Sequence, residues 1–480
     1  MTLDHDACYR ALLARDPRFD GRFFTGVKTT GIYCRPICPA RVPFSKNVTF
    51  YPTAAAAQEA GFRPCLRCRP ETAPDLAAWR GTSNTVQRAL RLIEMGALDD
   101  GDVEGLADRL GVGERHLRRL FKQHLGAAPI SVAQTRRVLL AKQLIHETSL
   151  PMTEIALASG FGSVRRFNET FAQLYGRPPG ELRRRGGPTI AASHGISVRL
   201  AYRAPYEWRG VLAFFRQRAI PGVERVEDNR YLRTISLDGE AGVIVVEPDS
   251  GDALKLTVRF PKLSALPAII ARVRRMFDLA ADPAAINAHL GGDAALGPMI
   301  LARPGLRLPG AWDGFEQAVR AILGQQITVA AAINLAGKLT DAYGQALPQP
   351  VLRLTHLFPA PERIAAEDLA VLAMPGARKR ALISLARAAW DDPALFSGGA
   401  GLEDSLASLR ALPGVGEWTA QYIAMRALRE PDAFPAADVG LMRAMEAEGP
   451  RPGAAQLAAR AEAWRPWRAY AAQHLWASLG

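Results

Sequence analysis

The sequences GIYCRPICPAR (residues 31–41) and GFRPCLRCRP (residues 61–70) together carry four of the five cysteines of this 480-residue chain. Their spacing is Cys-x3-Cys followed, after 26 residues, by Cys-x2-Cys. Two closely spaced pairs supply the four thiolates that tetrahedral zinc prefers, with little loss of loop entropy. The sequence therefore predicts one Zn²⁺ site whose ligands are Cys34, Cys38, Cys65 and Cys68.

Cationic side chains crowd the same window, namely Arg35, Arg41, Lys46, Arg63, Arg67 and Arg69. This setting favours a zinc site that meets phosphate, whereas the spacing alone is more typical of a zinc knuckle that only holds its own fold. A disulfide framework is disfavoured because the fifth cysteine, Cys8, is isolated and the first residues, MTLDHDACYR, contain no signal-peptide apolar region.

The length predicts three or four domains, and the apolar fraction of 48% is typical of packed cores. Of the net charge of +13, residues 1–190 carry +10 (28 basic against 18 acidic) and residues 191–480 carry +3 (32 against 29). A positive N-terminal part favours a polyanionic partner. Since the sequence has neither a basic amphipathic anchor nor a long apolar run, we expect nucleic acid rather than a membrane, and a cytoplasmic, nucleoid-associated location.

Two segments each combine a short helix, a glycine-containing turn and a second helix. The first is VEGLADRLGVGERHLRRLFKQHLG (residues 103–126) and the second is MTEIALASGFGSVRRFNETFAQLYG (residues 152–176). A longer amphipathic helix, SVAQTRRVLLAKQLIHE (residues 131–147), separates them. This internal repeat predicts two helix-turn-helix units within residues 84–183.

The apolar spacing of each second helix predicts which residues face outward. Leu117, Leu120 and Phe121 form one core face, and Phe167 and Phe171 form the other, with Ser163 as an N-cap. Two solvated helical hairpins would show the same pattern, but arginine repeated on the exposed face favours DNA binding. The side chains expected to meet DNA are Arg115, Arg118, Arg119 and Lys122, then Arg165, Arg166 and Asn168.

After a linker at residues 184–195, the pattern changes. Four β-branched segments read as strands and two amphipathic segments read as helices, which predicts an α+β domain over residues 196–300. From about residue 310 onward the pattern is almost wholly helical, which predicts a helical domain over residues 301–480.

The segment LPGVGEWTAQYIAMRAL (residues 412–428) contains a hairpin between helices. Gly414 and Gly416 are free to adopt positive φ and let backbone N–H groups approach a DNA phosphate, and the following helix start adds attraction for the anion. A tight helix–helix turn is the alternative. Asp438, in DAFPAADVGLMRA (residues 432–444), reads as an N-cap whose carboxylate is also aimed at a cationic transition state.

These residues resemble known families. GVKTTGIYCRPICPAR with GFRPCLRCRP resembles the zinc domain of the Ada family of adaptive-response regulators over residues 1–72, and residues 84–183 resemble its AraC-type double helix-turn-helix. The resemblance implies that Cys34, the first cysteine of the motif, accepts a methyl group from a methylphosphotriester in DNA. No cysteine follows Cys68, so the second methyltransferase activity of that family is not expected.

Residues 196–480 resemble the AlkA family of 3-methyladenine DNA glycosylases of the helix-hairpin-helix superfamily. FEQAVRAILGQQITVAAA (residues 315–332), LPGVGEWTAQY (residues 412–422) and WRPWRAYAAQHLW (residues 464–476) carry this resemblance. It implies that Asp438 is the catalytic aspartate and that the base pocket is lined by aromatic side chains, namely Trp418, Tyr422 and Trp476.

Two positions depart from the family pattern. Gln326 stands where the family inserts a leucine wedge into the base stack, so a polar wedge is expected. Trp418 stands where lyase-competent relatives carry a Schiff-base lysine, which predicts a monofunctional hydrolase. The resemblance also allows a monovalent cation at the hairpin.

The prediction is therefore a multidomain chain: a small zinc-bound α+β domain, an all-α double helix-turn-helix, an α+β domain and an all-α helix-hairpin-helix domain. Its expected function is excision of alkylated purines from double-stranded DNA together with sensing of methylphosphotriesters and regulation at promoter DNA, with RNA polymerase as a further candidate partner. One alternative is a regulator whose C-terminal half is catalytically inactive. The other is a glycosylase whose zinc domain only adds DNA affinity.

Overall fold

The computed structural model describes residues 3–74, 84–183, 195–396 and 401–479. The chain forms two compact units. The first comprises Met1–Arg203 with Asp249–Ala271, and the second comprises Ala204–Pro248 with Arg272–Gly480. The predicted linker lies outside the described residues apart from Gly195.

The cysteine-bearing module opens the first unit with a small sheet. Its elements are α1 (His5–Ala14), β1 (Phe24–Val27), β2 (Ile32–Cys34), β3 (Val48–Tyr51), α2 (Ala54–Glu59) and β4 (Arg63–Pro64). The strand order is β3-β1-β2-β4, and β2 and β4 are parallel, with Tyr33 opposite Pro64. Since parallel strands end at the same edge of a sheet, Cys34 and Cys65 come to lie next to each other.

Six α-helices follow in the first unit, and the sequence predicted the last five of them individually. They are α3 (Asn84–Glu94), α4 (Val103–Arg109), α5 (Glu114–Leu125), α6 (Pro129–Glu147), α7 (Met152–Ala158) and α8 (Val164–Tyr175). Leu117 and Phe121 are fully buried. The rings of Phe167 and Phe171 lie 4.9 Å apart in the core of the second helix-turn-helix. Ser163 Oγ caps α8 by accepting from Arg166 N at 3.2 Å. The two predicted helix-turn-helix units are confirmed.

The next segment contains the four predicted strands and the two predicted helices, together with one strand and two helices that were not predicted. They are β5 (Ile196–Ala201), α9 (Trp208–Arg218), β6 (Glu224–Glu227), β7 (Arg230–Leu237), β8 (Glu240–Asp249), β9 (Ala253–Arg259), α10 (Leu266–Met276), α11 (Pro283–Leu290) and α12 (Leu296–Ala302). In the first unit β5 pairs antiparallel with β9, and in the second unit β6, β7 and β8 form an antiparallel meander. Strand β6 was not predicted, because its sequence ERVE lacks apolar alternation. It is set by the turn at Asp228 and Asn229, both at positive φ.

The rest of the second unit is mainly helical. Its elements are α13 (Gly314–Leu323), α14 (Val329–Tyr343), β10 (Ala346–Val351), β11 (Leu354–His356), α15 (Pro361–Ala365), α16 (Gly376–Asp391), α17 (Leu402–Arg410), α18 (Glu417–Ile423), α19 (Val439–Ala444), α20 (Ala454–Ala461) and α21 (Arg468–Ala477). Their apolar faces enclose one core that includes Ile322, Leu385, Ala420 and Leu475. This core holds α18, α19 and α21 together, and these helices carry the predicted site residues.

The hairpin of β10 and β11 corrects the prediction of an almost wholly helical region. Leu352 and Arg353 at its tip both have positive φ, which suits a two-residue hairpin turn. Leu354 is fully buried and packs in a cluster with Leu232 and Val243 of the meander. Burial of Leu354 against the meander therefore stabilises two strands in a region where the local sequence pattern did not predict them.

In the part of the chain that the structure describes, no helix combines the length and the apolar character needed to span a lipid bilayer.

Candidate active site and zinc centre

Asp438 lies at the start of α19, as the sequence predicted for an N-cap. Its backbone is extended (φ −72°, ψ 125°), and its Oδ1 accepts a hydrogen bond from Leu441 N at 3.0 Å. The side chain is half-buried. A carboxylate in this position is aimed by the backbone and stabilised by the helix dipole.

Two tryptophan side chains hold the same carboxylate. Trp418 Nε1 donates to Asp438 Oδ2 at 2.8 Å, and Trp476 Nε1 donates to Asp438 Oδ1 at 2.9 Å. The sequence predicted these residues only as ring walls of a pocket and gave no sign of their N–H bonds. Hydrogen bonds to an ionised acceptor are stronger than neutral ones, so both oxygens are held in fixed directions.

Tyr422 completes an aromatic surface beside Asp438. Trp418 and Tyr422 are four residues apart on α18, and their rings stack with 5.2 Å between centroids and an interplanar angle of 7°. The ring of Trp476, from α21, lies 6.2 Å from Tyr422 at 74°. The structure thus brings together all four residues predicted for catalysis and the base pocket.

A buried arginine that the sequence analysis missed lies against these rings. The Arg426 guanidinium is 5.6 Å from the ring centroid of Tyr422 and 5.4 Å from that of Trp476. It donates to Pro309 O and to Gln473 Oε1. Burial lowers the pKa of Arg426 to about 10. Its position four residues after Tyr422 on the same helical stretch was the signal that could have revealed it.

Arg218, from α9, adds a second cation near the pocket. Arg218 and Arg426 both lie over the ring of Phe214, at 4.0 Å and 4.6 Å. Burial by itself raises the pKa of Tyr422, but Arg426 and Arg218 outweigh it and hold this pKa below its usual value. The rings of Tyr422 and Trp476 therefore already contact a protein cation, Arg426, which weakens their attraction for a further cation.

The hairpin differs in one respect from its prediction. Gly414 has φ +79°, and a Cβ there would lie 2.5 Å from Ala381 Cβ. Gly416, in contrast, is the N-cap of α18 with extended backbone (φ −84°, ψ 179°), so it does not use the positive φ that glycine allows. Only one of the two glycines is required for the turn conformation itself.

The loop before α14 supports this hairpin through a residue that was not predicted. Gln325 Nε2 donates to Gly414 O at 2.9 Å and to Thr419 Oγ1 at 3.1 Å. The next residue, Gln326, is exposed and has φ +59°. Gln326 is thus an exposed polar residue at a turn, and its role as a wedge stays a prediction. The monovalent cation at the hairpin stays a prediction.

The four cysteines of the first unit converge on one point. The Sγ atoms of Cys34, Cys38, Cys65 and Cys68 all lie within 4.8 Å of one another. Arg35 N and Arg67 N donate to the sulfurs of Cys68 and Cys65, each at 3.3 Å. Four mutually close thiolates with backbone donors fit tetrahedral Zn²⁺, and the predicted zinc site is confirmed. Cys34 is half-buried, whereas the other three are buried.

The cations around this centre divide into two groups. Arg35 forms a buried ion pair with Asp20, and Arg69 bonds to Glu71 and Glu147 at 3.1 Å and 3.0 Å. Arg63 lies over the ring of Tyr175 at 5.9 Å. Arg35 thus stabilises the module internally, whereas Arg63 and Arg69 also join it to the helices that follow. The exposed cations that remain for a phosphate partner are Arg41, Lys46 and Arg67.

The predicted recognition side chains are all exposed, namely Arg115, Arg118, Arg119, Lys122, Arg165, Arg166 and Asn168. Two of them are tied to acidic neighbours one turn away: Arg118 Nε bonds Glu114 at 2.9 Å, and Arg165 Nε bonds Glu169 at 2.8 Å. Exposed pairs of this kind contribute little stability, so both arginines can exchange their partners for DNA. Their contacts with DNA stay a prediction.

A relative in Mycobacterium tuberculosis, named "Probable bifunctional transcriptional activator/DNA repair enzyme AlkA", is 42% identical over 480 residues, covering 99% of this chain and 97% of the relative. The chain belongs to the family of bifunctional transcriptional activators and DNA repair enzymes that combine Ada and AlkA domains. DNA-3-methyladenine glycosylase 2 of Escherichia coli is 36% identical over 288 residues, covering 58% of this chain and 97% of the relative.

Four family models match successive parts of the chain and confirm the predicted fold class. They are the metal binding domain of Ada (residues 7–71), a helix-turn-helix domain (106–185), the AlkA N-terminal domain (197–313) and the HhH-GPD superfamily of base excision DNA repair proteins (319–469). The solved 3-methyladenine DNA-glycosylase of Archaeoglobus fulgidus shares 23% identity with a TM-score of 0.52, covering 58% of this chain and 96% of that one, and so supports the fold. The predicted domain boundaries stay a prediction.

Proposed function

We propose that the second unit hydrolyses the N-glycosidic bond of alkylated purines in DNA and that Asp438 stabilises the developing sugar cation. The observation that carries this proposal is the carboxylate of Asp438, held by the indole N–H groups of Trp418 and Trp476 beside the stacked ring of Tyr422. A base-sized aromatic surface and a fixed negative charge are the two groups that this reaction needs.

An N3- or N7-alkylated purine carries a positive charge and leaves readily. When the bond between the base nitrogen and C1′ breaks, the electron pair stays on the base, which departs neutral, and the positive charge moves to the sugar. Asp438 as a carboxylate opposes that charge. A water oxygen then bonds to C1′ and releases its proton to Asp438 or to solvent. Trp418 supplies no amine, so no lyase step follows.

The test is release of free 3-methyladenine from methylated duplex DNA. Asp438→Asn keeps the shape of the side chain but removes its charge, and we expect the rate of release to fall by about 10²- to 10³-fold while binding to damaged DNA persists. Asp432→Asn is the matched control, because Asp432 lies in the same loop but bonds Arg468 rather than the pocket. Turnover retained in Asp438→Asn would remove this residue from catalysis. A wild-type chain that binds damaged DNA without releasing base would instead support the regulator with an inactive C-terminal half.

We also propose that Cys34 accepts a methyl group from a methylphosphotriester in DNA. Cys34 is half-buried, whereas the other three cysteines of the cluster are buried, and this difference supports Cys34 as the acceptor. The Cys34 sulfur attacks the methyl carbon, the carbon–oxygen bond breaks, and the electron pair stays on the phosphate oxygen. The products are a thioether and an ordinary phosphodiester. Zinc, when bound, keeps the four thiols deprotonated at neutral pH.

Methyl transfer changes the charge of the sensor. A zinc ion with four thiolates has a formal charge of −2, and the same cluster with one thioether has −1. Weaker repulsion from DNA phosphates then raises promoter affinity. We infer that this state activates transcription in the nucleoid, with RNA polymerase as the partner, because the M. tuberculosis relative is named as a transcriptional activator as well as a repair enzyme.

The sensor is tested by mass spectrometry after incubation with DNA that carries methylphosphotriesters. We expect one methyl group on wild-type protein and none on Cys34→Ala. Cys8→Ala is the control, because Cys8 is buried outside the cluster and should leave the transfer unchanged. A methyl group found on Cys34→Ala would place the acceptor elsewhere, and a wild-type chain that is never methylated would favour a zinc domain that only adds DNA affinity.

A further inference from the structure

A lysine lies fully buried beneath the zinc centre. Lys142, on α6, places its Nζ 2.7 Å from Cys65 O and 2.6 Å from Glu71 Oε2. Lys142 is 0% exposed, and the Glu71 side chain is 1% exposed. Its neighbours on the helix, such as Ala141 and Leu144, are apolar and buried in the same way. An apolar side chain is the usual occupant of a helix position as buried as that of Lys142.

A buried ammonium is costly unless it is paired and hydrogen-bonded. Among the described residues, Lys142 meets this condition through the cysteine module alone, because both of its bonds end on residues of that module. The Cys65 peptide is held on its other side as well, since Cys65 N donates to Tyr33 O at 3.0 Å. The helix between the two helix-turn-helix units therefore fixes the position of a zinc-ligand loop.

A second set of hydrogen bonds also joins the cysteine module to helix α6. Arg69, one residue after Cys68, donates to Glu71 at 3.1 Å and to Glu147, at the end of α6, at 3.0 Å. Glu147 also accepts from Arg199 N at 3.0 Å. These side chains are largely buried, so their ion pairs are little weakened by solvent. Helix α6 is thus anchored to the Cys65–Cys68 loop at two points along its length.

We propose that Lys142 is a positioning residue of the zinc centre, through which zinc binding and DNA binding by the helix-turn-helix units stabilise each other. Residues just outside a metal's ligands commonly change metal affinity by 10- to 100-fold. Coupling between two sites is reciprocal: if zinc stabilises the DNA-binding arrangement of α6, then DNA must slow the loss of zinc. The inference rests on the zinc site and on DNA binding, and not on methyl transfer to Cys34.

The chain offers a matched control at another junction. Lys122 of α5 pairs with Glu59 of the cysteine module, but the Lys122 side chain is 55% exposed and that of Glu59 is 29% exposed. Glu59→Gln therefore breaks an ion pair between the cysteine module and the helix-turn-helix part. This pair is exposed to solvent and lies away from the zinc ligands. Glu71→Gln makes the same chemical change in the buried pair.

The experiment measures zinc release from the full chain to a chelator, with and without a duplex of about 30 base pairs at low salt, where phosphate contacts alone give binding. For wild type and Glu59→Gln we expect slow release that DNA slows further. For Lys142→Met we expect release 10- to 100-fold faster, with the effect of DNA lost. Lys142→Arg, which keeps a cationic donor, should recover much of both properties.

Two results would overturn the proposal: release from Lys142→Met within twofold of wild type, or a wild-type rate that DNA does not change. If Lys142→Met cannot be obtained with zinc bound, Glu71→Gln decides. Faster release with a smaller effect of DNA supports the coupling, and wild-type values contradict it. Because the duplex carries no methylphosphotriester, the result does not depend on whether Cys34 is a methyl acceptor.

Discussion

The carboxylate of Asp438 accepts three hydrogen bonds, one from the backbone of Leu441 and two from indole side chains. An N-cap needs only the first of these. The two indole donors leave the carboxylate little freedom to rotate, so in the proposed reaction its charge would meet the sugar in one orientation. Fixed orientation of this kind is what electrostatic catalysis requires, because no reorganisation is needed when the cation forms.

Replacing Trp418 by phenylalanine separates the indole N–H from the ring. We expect Trp418→Phe to keep the stack with Tyr422 and to slow base release by about 10- to 100-fold, since one hydrogen bond to a charged acceptor contributes about 1.5–3 kcal/mol. The measurement is single-turnover release of 3-methyladenine. Trp464→Phe is the control, because Trp464 Nε1 makes the same kind of bond to Asp293 at 2.8 Å, in the core rather than in the pocket. It should lower stability without changing the rate, and equal slowing in both variants would contradict the assignment.

His474 predicts how the stability of the second unit depends on pH. Burial, followed by the charge of Arg303, lowers the pKa of His474 from 6.5 to about 4. Between pH 6.5 and about 4, His474 therefore binds a proton in the unfolded chain but not in the folded chain. The contribution of neutral His474 to the free energy of unfolding is complete above pH 6.5 and is lost as the pH falls to about 4. The loss amounts to about 3 kcal/mol.

The measurement is the melting temperature between pH 4 and pH 7.5, followed by tryptophan fluorescence. Seven of the eight tryptophans lie in the second unit, so the signal reports mainly on that unit. His474→Asn should flatten the decline below pH 6.5. The same slope in wild type and variant would show that other groups cause it.

At the scale of elements, the hairpin before α18 shows which predictions a local pattern supports. The turn, the helix start and the N-cap of α19 were all predicted, because glycine, proline and capping residues act within a few positions along the chain. The separate uses of Gly414 and Gly416 were not predicted, since they depend on the close approach of Ala381 from α16. For the same reason β10 and β11 were missed.

Alanine substitutions should distinguish these two glycines. Gly414→Ala places a Cβ against Ala381 at a positive φ, and we expect it to lower the free energy of unfolding by at least about 1–2 kcal/mol. Gly416→Ala should be nearly neutral for stability, because its φ is negative and nothing lies within 4 Å of the added Cβ. Chemical unfolding followed by tryptophan fluorescence gives both values. Equal losses would indicate that the turn tolerates no side chain at either position.

At the scale of the molecule, the two proposed chemistries use separate residues. The cysteine cluster belongs to the first unit, whereas Asp438 and the aromatic pocket belong to the second. No residue of the proposed excision site, among those that the structure describes, comes from the cysteine module. The charge asymmetry read from the sequence agrees with this division, since most of the net positive charge lies before residue 191.

Removal of zinc should therefore affect one chemistry and spare the other. After treatment with a strong chelator, we expect methyl transfer to protein to cease, while 3-methyladenine is released from a short methylated duplex at the untreated rate within about twofold. Methyl counting by mass spectrometry and release of radiolabelled base are measured on the same sample. Re-addition of Zn²⁺ is the control and should restore transfer. A parallel loss of base release would show that the second unit depends on the zinc centre.

The sequence by itself determined the candidate groups for the proposed chemistry: the four cysteines, the hairpin glycine, the capping aspartate and the aromatic residues near it. Only the tertiary structure decided how these groups are held. The indoles that bind Asp438 come from positions 20 and 38 residues away, and Lys142 reaches Cys65 across 77 residues. The reason is physical: spacing along the chain sets turns, caps and amphipathic faces, whereas the partner of a buried polar group is set by which helices pack together.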